Sequence, residues 1–209
     1  MNKDTLKLYA VTDRSWLGGE TLSAQVEKAL RGGASFVQLR EKEMDRDAFL
    51  QEATEIAALC KRYGVPFVIN DDVEIALACG ADGVHVGQED MAAVEARKLL
   101  GPDKIIGVTC KSVEQAVEAE AQGADYLGSG AMFPSTAKPG AAGISFDTLR
   151  QICAAVKIPV VAIGGITREN LPKLKDTGIA GVAVVGAIFA QPDPEEAARA
   201  LKETITQVL

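Results

Sequence analysis

Residues 31–39 read RGGASFVQL, and the same pattern returns at 79–87 (CGADGVHVG), 122–130 (QGADYLGSG) and 177–186 (TGIAGVAVVG). Each stretch is a glycine, one or two small residues, then a short apolar run. The key glycines, Gly33, Gly80, Gly123 and Gly178, lie 47, 43 and 55 residues apart. Each follows an amphipathic stretch, as a helix C-cap should. Between them lies a second series of β-branched runs bounded by turn signals: KLYAVTD from Lys7, VPFVIND from Val65, KIIGVTC from Lys104 and IPVVAIGG from Ile158. Interleaved, the two series predict eight strands, each followed by a helix-length segment such as 22–30, 47–63 or 194–208. Near-continuous apolar strands separated by helices require parallel pairing with both faces covered. Eight βα units closing on themselves make one α/β domain over residues 1–209, a (β/α)8 TIM barrel. A doubly wound open sheet is the structural alternative.

Composition narrows the partners. With 209 residues, 47% hydrophobic and 24% charged, the chain suits one globular core. Its net charge of −7 argues against nucleic acid or an anionic membrane as main partner. An anionic ligand must therefore be held by a local basic cluster. Residues 1–16 hold no signal-like apolar core, and no apolar run approaches the roughly 20 residues of a membrane helix. Cys60, Cys79, Cys110 and Cys153 form no C-x-x-C, which points to free thiols in a reducing cytoplasm. Assembly into a homo-oligomer stays open.

In such barrels chemistry sits at the C-terminal ends of the strands. The second strand runs FVQLREK, so alternation puts Gln38, Arg40 and Lys42 on one face and Val37 and Leu39 on the other. The apolar pair must pack under helices, which turns the polar triplet into the barrel mouth. Two cations and an amide there are costly unless an anion meets them, and Arg with Lys suits phosphate. The competing reading is a solvated charged edge paired with Glu41 and Glu43.

The third strand ends in Asn70-Asp71-Asp72 and the fourth in Gly87-Gln88-Glu89-Asp90. A few hard oxygen ligands, with room for water and phosphate, describe a Mg²⁺ site. Helix capping competes at each position; it is accepted for Asp72, while Asp71 and Asp90 are taken as the metal pair because a basic triplet lies beside them. The last two strands end in glycine, at Gly164-Gly165 and at Gly186, where backbone amides can approach a phosphate. Lys138 lies in the long segment GSGAMFPSTAKPGAAGIS and reads either as a solvated lysine or as a cation closing over the mouth. His85 points inward and is given no catalytic role; Cys110 shows no nucleophile signature. Two facing anion sites fit two phosphorylated substrates better than one.

Together these motifs resemble the thiamine-phosphate synthase family. LYAVTDR, QLREK, NDD, GADGVHVGQED, GADYLGSG, FPSTAK, AIGGI and GVAVV occur in family order across nearly the whole chain. The resemblance implies joining of a pyrimidine methyl diphosphate to a thiazole phosphate, giving thiamine phosphate and diphosphate with one Mg²⁺. By motif, the segment Gln38-Leu39-Arg40-Glu41-Lys42 and Asn70 would hold the pyrimidine diphosphate, with Thr109 beside the pyrimidine. Asp71 and Asp90 would bind the metal. Ser135, Thr136, Ala137, Gly165, Val185 and Gly186 would hold the thiazole phosphate, and Lys138 would join Arg40 and Lys42 on the departing diphosphate.

Several positions depart from the commoner family pattern. Thr109 stands for a frequent serine, Ala137 for a usual threonine, Cys110-Lys111 for a pair that often contains histidine, and Gly186 for an occasional serine. A related thiazole tautomerase and a non-catalytic phosphate-binding relative are the alternatives on the same barrel. The first tends to lack the diphosphate and metal motifs and uses a histidine near Lys111; here the motifs are intact and that histidine is absent. Lys138→Ala is expected to lower kcat severely while the melting temperature hardly moves, since a loop cation supports chemistry rather than folding. Full activity with a large drop in melting temperature in the same variant would overturn that role.

Overall fold

Side chains that alternate between two apolar environments decide the architecture, because a strand with both faces covered needs helices outside it and more side chains inside. A computed structural model, describing residues 1–134 and 142–209, places eight such strands: β1 Leu8–Val11, β2 Phe36–Leu39, β3 Phe67–Asn70, β4 Gly83–Val86, β5 Ile105–Cys110, β6 Tyr126–Ser129, β7 Val160–Ile163 and β8 Gly181–Val184. Every strand pairs in parallel with its sequence neighbours, and β8 returns to β1, so the sheet closes into a (β/α)8 barrel.

The helices around it are α1 Leu22–Gly32, α2 Arg46–Tyr63, α3 Val73–Ala78, α4 Ala93–Leu100, α5 Val113–Ala121, α6 Phe146–Ala155, α7 Gly186–Phe189 and α8 Pro194–Val208. Most start where a side-chain oxygen takes an otherwise orphaned amide: Thr21 for α1, Asp45 for α2, Asp72 for α3, Ser112 for α5, Ser145 for α6 and Asp193 for α8. Gly33, at φ 104°, caps α1 in the left-handed conformation that the sequence implied. The ring of helices is not regular, however. After β7 comes a single 3₁₀ turn, Leu171–Leu174, rather than a helix. Asn170 folds back onto the Gly165 carbonyl at 2.8 Å and Asp176 takes a φ of 60°, so the turn stops after one revolution. Two helices, α7 and α8, follow β8 instead of one. No helix among the described residues is long and apolar enough to cross a membrane.

The core has two compartments. Between barrel and helices lies the larger, which includes Val37, Leu39, Ile56, Val84 and Leu201. Inside the barrel sit Leu6, Tyr9, Val11, Phe36, Val68, Tyr126, Val161 and Ala183. Tyr9, Phe36 and Tyr126 pack edge to face, with ring centroids 4.6 to 5.9 Å apart, and fill the floor of the barrel beneath its mouth.

Closure of the helical ring depends on α8 meeting α1. A Cβ at Gly32 would lie 2.2 Å from the Glu195 carbonyl oxygen and 2.6 Å from the Ala198 Cβ. Alanine normally gains about 1 kcal/mol over glycine inside a helix. Here overpacking against backbone, costing about 1–3 kcal/mol or more, outweighs that gain. Gly32→Ala should therefore lower the urea midpoint while kcat per folded molecule stays unchanged; an unchanged or raised midpoint would refute the close-packing account.

Candidate active site

Inward-facing positions of β1, β2, β4, β5 and β6 carry polar groups that are largely buried below the barrel mouth, and these satisfy one another. They do so in a single run. The Gln38 amide nitrogen donates to the Tyr9 hydroxyl, which lies 2.8 Å from the Tyr126 hydroxyl. Tyr126 meets His85 Nδ1 at 2.9 Å, and His85 Nε2 meets Thr109 Oγ1 at 2.9 Å. Burial pushes the His85 pKa down to about 4, so the imidazole is neutral. Burial likewise pushes the Cys110 thiol up to about 12, which leaves no thiolate at neutral pH.

Above this run lies a cavity of about 360 Å³. Gln38, Arg40, Asn70 and Thr109 line one part of it, and Gly164, Gly165, Val185 and Gly186 another. Gly165 has a φ of 62°, and a Cβ there would lie 2.3 Å from the Pro134 carbonyl oxygen. Glycine is thus required by the close approach of the segment after β6. Gly186 opens α7, whose first amides have no partner within the helix and face the cavity lining.

The residues after β2 depart from the alternation expected of them. β2 ends at Leu39, and the chain then turns. Thr12 Oγ1 accepts the Arg40 amide at 3.0 Å, and the Glu41 carboxylate accepts the amides of Lys42 at 2.8 Å and Glu43 at 3.2 Å. Gln38 and Arg40 reach the cavity, as the alternation requires. Lys42 does not: it borders a second, open groove with Asp71, because the turn at Glu41 breaks the two-residue period. Glu41 is held by Arg14 at 2.6 Å, and Arg14 also reaches Glu52 at 2.6 Å. Leu39 is fully buried between barrel and helices. The side chains of Glu41 and Leu39 are therefore committed to the frame, and only their backbone is left for a ligand.

The two carboxylates singled out as metal ligands come together. Asp72 caps α3 through the Ile75 amide at 2.8 Å, which leaves Asp71 free of that duty. Asp71 has a φ of 64°, and its amide is tied to the His85 carbonyl at 2.8 Å. Asp90 does not cap α4, whose N-cap is Ala92; it accepts the Gly87 amide at 2.8 Å and so closes its own loop. Partial burial, then the hydrogen bond and charge of Asp90, push the Asp71 pKa up to about 6, against the pull of Asn70 and Lys42. Two carboxyls this close favour keeping one proton between them, and a cation bound there would take that proton's place. Among the described residues no group of three or more His, Cys, Asp or Glu side chains could hold a metal. A metal here would take two protein carboxylates and complete its shell with water and ligand oxygens, the arrangement that suits Mg²⁺.

Ser135, Thr136, Ala137 and Lys138 lie outside the described residues. Sequence reasoning missed Tyr9, Tyr126 and Lys111, all close to the chemistry: Tyr9 and Lys111 line the cavity, and Tyr126 lies beneath it. Tyr9 and Tyr126 were visible as tyrosines at inward positions of β1 and β6, where a hydroxyl demands a partner. Lys111 carries no such signal, because it follows the end of β5.

A family model described as thiamine monophosphate synthase matches residues 8–188. A thiamine-phosphate synthase of Ruminiclostridium cellulolyticum is 50% identical over 196 residues, covering 94% of this chain and 93% of that one. Thiamine-phosphate synthase 2 of Streptococcus pneumoniae is 45% identical over 209 residues, covering all of both chains. Among solved structures, thiamine phosphate pyrophosphorylase from Pyrococcus furiosus superposes with a TM-score of 0.90 at 39% identity, covering 99% of this chain and 98% of that one.

Metal binding at this carboxylate pair would be tied to protons. As pH rises through about 6, Asp71 ionises against Asp90, and the ligand-free protein loses stability. A Mg²⁺ ion held by Asp71 and Asp90 would displace the same proton, so below about pH 6 its affinity should weaken by up to about tenfold per pH unit. Calorimetry in buffers of different ionisation heat should show proton release in the wild type and none in Asp71→Asn. A Mg²⁺ affinity independent of pH between 5 and 7 would remove the pair from metal binding.

Proposed function

This chain belongs to the thiamine monophosphate synthase family, and we propose that its barrel mouth joins a pyrimidine methyl diphosphate to a thiazole phosphate by displacement at carbon. It is a transferase of thiamine biosynthesis. The observation that carries the mechanism is one cavity with Arg40 and Asn70 on one side, Gly165 and Gly186 on another, and the neutral groups Gln38 and Thr109 below. Such a lining suits two anionic ends and a neutral heterocycle between them.

Arg40 offers a planar fork for diphosphate oxygens, and Lys42 adds positive charge beside Asp71. Asp71 and Asp90 would hold Mg²⁺, which when bound supplies charge neutralisation to the diphosphate. Backbone amides at Gly165 and Gly186 would hold the thiazole phosphate on the far side of the barrel from β3 and β4. Ser135, Thr136, Ala137 and Lys138 are proposed to complete the two anion sites.

With both substrates so held, the C–O bond of the pyrimidine methylene breaks and its electron pair leaves with diphosphate. The thiazole nitrogen then donates its lone pair to that carbon. Positioning two reactants in this way is worth about 7–11 kcal/mol of barrel-imposed order. No protein nucleophile is required; the Cys110 thiol stays protonated, and both ring nitrogens of His85 are already occupied by hydrogen bonds. Four thiols free of disulfides support the reducing cytoplasm as the compartment.

The test incubates the purified protein with 4-amino-2-methyl-5-(diphosphooxymethyl)pyrimidine and 4-methyl-5-(2-phosphoethyl)thiazole, with Mg²⁺ or with EDTA. Product is read as fluorescent thiochrome after oxidation. Thiamine phosphate should form with Mg²⁺ and fall to background with EDTA. Tight binding of both ligands without turnover would move the protein to a binding or tautomerase role.

A further inference from the structure

The run from Gln38 to Thr109 has a direction. An amide nitrogen only donates, so Tyr9, receiving that bond, must give its own proton to Tyr126. Tyr126 has then accepted once and gives its proton to His85 Nδ1. A neutral imidazole that accepts at Nδ1 carries its hydrogen on Nε2 and donates it to Thr109 Oγ1. The Thr109 hydroxyl hydrogen is thereby released from the protein and left for the cavity. At the other end the Gln38 side-chain carbonyl receives no hydrogen bond from the described residues. One end of the run therefore presents an acceptor and the other a donor, and neither can reverse without the other.

The barrel reserves space for this run. A Cβ at Gly107 would lie 2.1 Å from the Tyr126 ring and 2.5 Å from His85 Nδ1. Tyr9 and Tyr126 are 1% and 0% exposed, so their hydroxyls have no water to fall back on, and a broken link leaves a buried polar atom unpaired. A packing-only floor could be built from phenylalanine without that liability, as Phe36 beside them shows.

We propose that Tyr9, Tyr126 and His85 are positioning residues forming a polarised hydrogen-bond wire, which sets Gln38 as acceptor and Thr109 as donor and so selects an amino-substituted azine edge. A 4-aminopyrimidine offers that complement, an exocyclic N–H donor and a ring-nitrogen acceptor. The choice of pyrimidine rests on the proposed function; the wire's polarity does not. In this reading Thr109 needs its hydroxyl, and the imidazole works only by fixing which way that hydroxyl points.

The chain contains one histidine, so its nitrogen signals are unambiguous. In ligand-free protein labelled with ¹⁵N, His85 should show the Nε2–H tautomer alone; an Nδ1–H or mixed signal overturns the wire without reference to any reaction. Calorimetry then compares 4-amino-2-methyl-5-(diphosphooxymethyl)pyrimidine with its analogue lacking the amino group. Wild type should prefer the amino compound by about tenfold or more, one hydrogen bond's worth. Tyr126→Phe should lose that preference and show mixed tautomers, while affinity for thiazole phosphate is unchanged. Retained preference in Tyr126→Phe, or an equal loss for all three ligands, reduces these residues to a structural role and overturns the proposal. Failure of the thiochrome assay with the Nε2–H signal intact would count against the reaction alone.

Discussion

Closure of β8 onto β1 confines whatever the strands turn inward to a space whose lower layer is filled by side chains and whose upper end is the cavity. That confinement is what the rest of the structure obeys. Aromatic rings fill the lower layer, and every polar atom above them has to be matched to another polar atom within reach. The same constraint explains why Gly107 has no side chain and why His85 is neutral: the ring of Tyr126 occupies the space, and burial forbids the imidazolium. A barrel floor that tolerates only one bonding pattern is also a rigid platform for a flat heterocycle set on top of it.

Charge is handled by the opposite rule, at the rim. The chain is acidic overall, yet its cavity must take anions. Arg40 and Lys111 line the cavity, while several other cations are engaged elsewhere: Arg14 with Glu41 and Glu52, Arg46 with Asp72 and Glu74, Arg97 with Asp125 and carbonyl oxygens. The Arg14 pairs matter indirectly. They hold Glu41, and Glu41 holds the turn that sends Arg40 one way and Lys42 another. Two cations two positions apart thus border separate grooves, Arg40 the central cavity and Lys42 the flank of Asp71.

The barrel was readable because its signals are short-range. A glycine in left-handed conformation after a helix and an apolar run after it are both written within about ten residues, and the repeat supplied the count of eight. The turn after β7 escaped notice because the spacing of Gly123 and Gly178 leaves room for a helix; Asn170 bonding back to Gly165 stops it. At the site, alternation placed Gln38 and Arg40 but misplaced Lys42, since a period-two argument holds only while the strand lasts. The pairing of Asp71 with Asp90 could be inferred only from adjacency of β3 and β4, and the perturbed proton on Asp71 not at all, because it depends on a through-space approach. The Tyr9–Tyr126 link, 117 residues apart in sequence, lies beyond any local reading for the same reason.

A reaction whose difficult step is departure of diphosphate from carbon asks for little covalent participation from its enzyme. It asks for dispersed positive charge at one end, fixed orientation in the middle and an anchor for the incoming molecule. In the proposed reading each demand would fall to a different stratum of this fold: rim cations and carboxylates after β2 to β4, interior polar groups from β1, β2, β4, β5 and β6, and glycine backbone after β7 and β8. Because the strata are held by different contacts, a change in one need not disturb another. In the proposed reading the floor would contribute by deciding which heterocycle is held and at what angle, and a hydrogen-bonded run with one allowed polarity is the physical form such a decision takes.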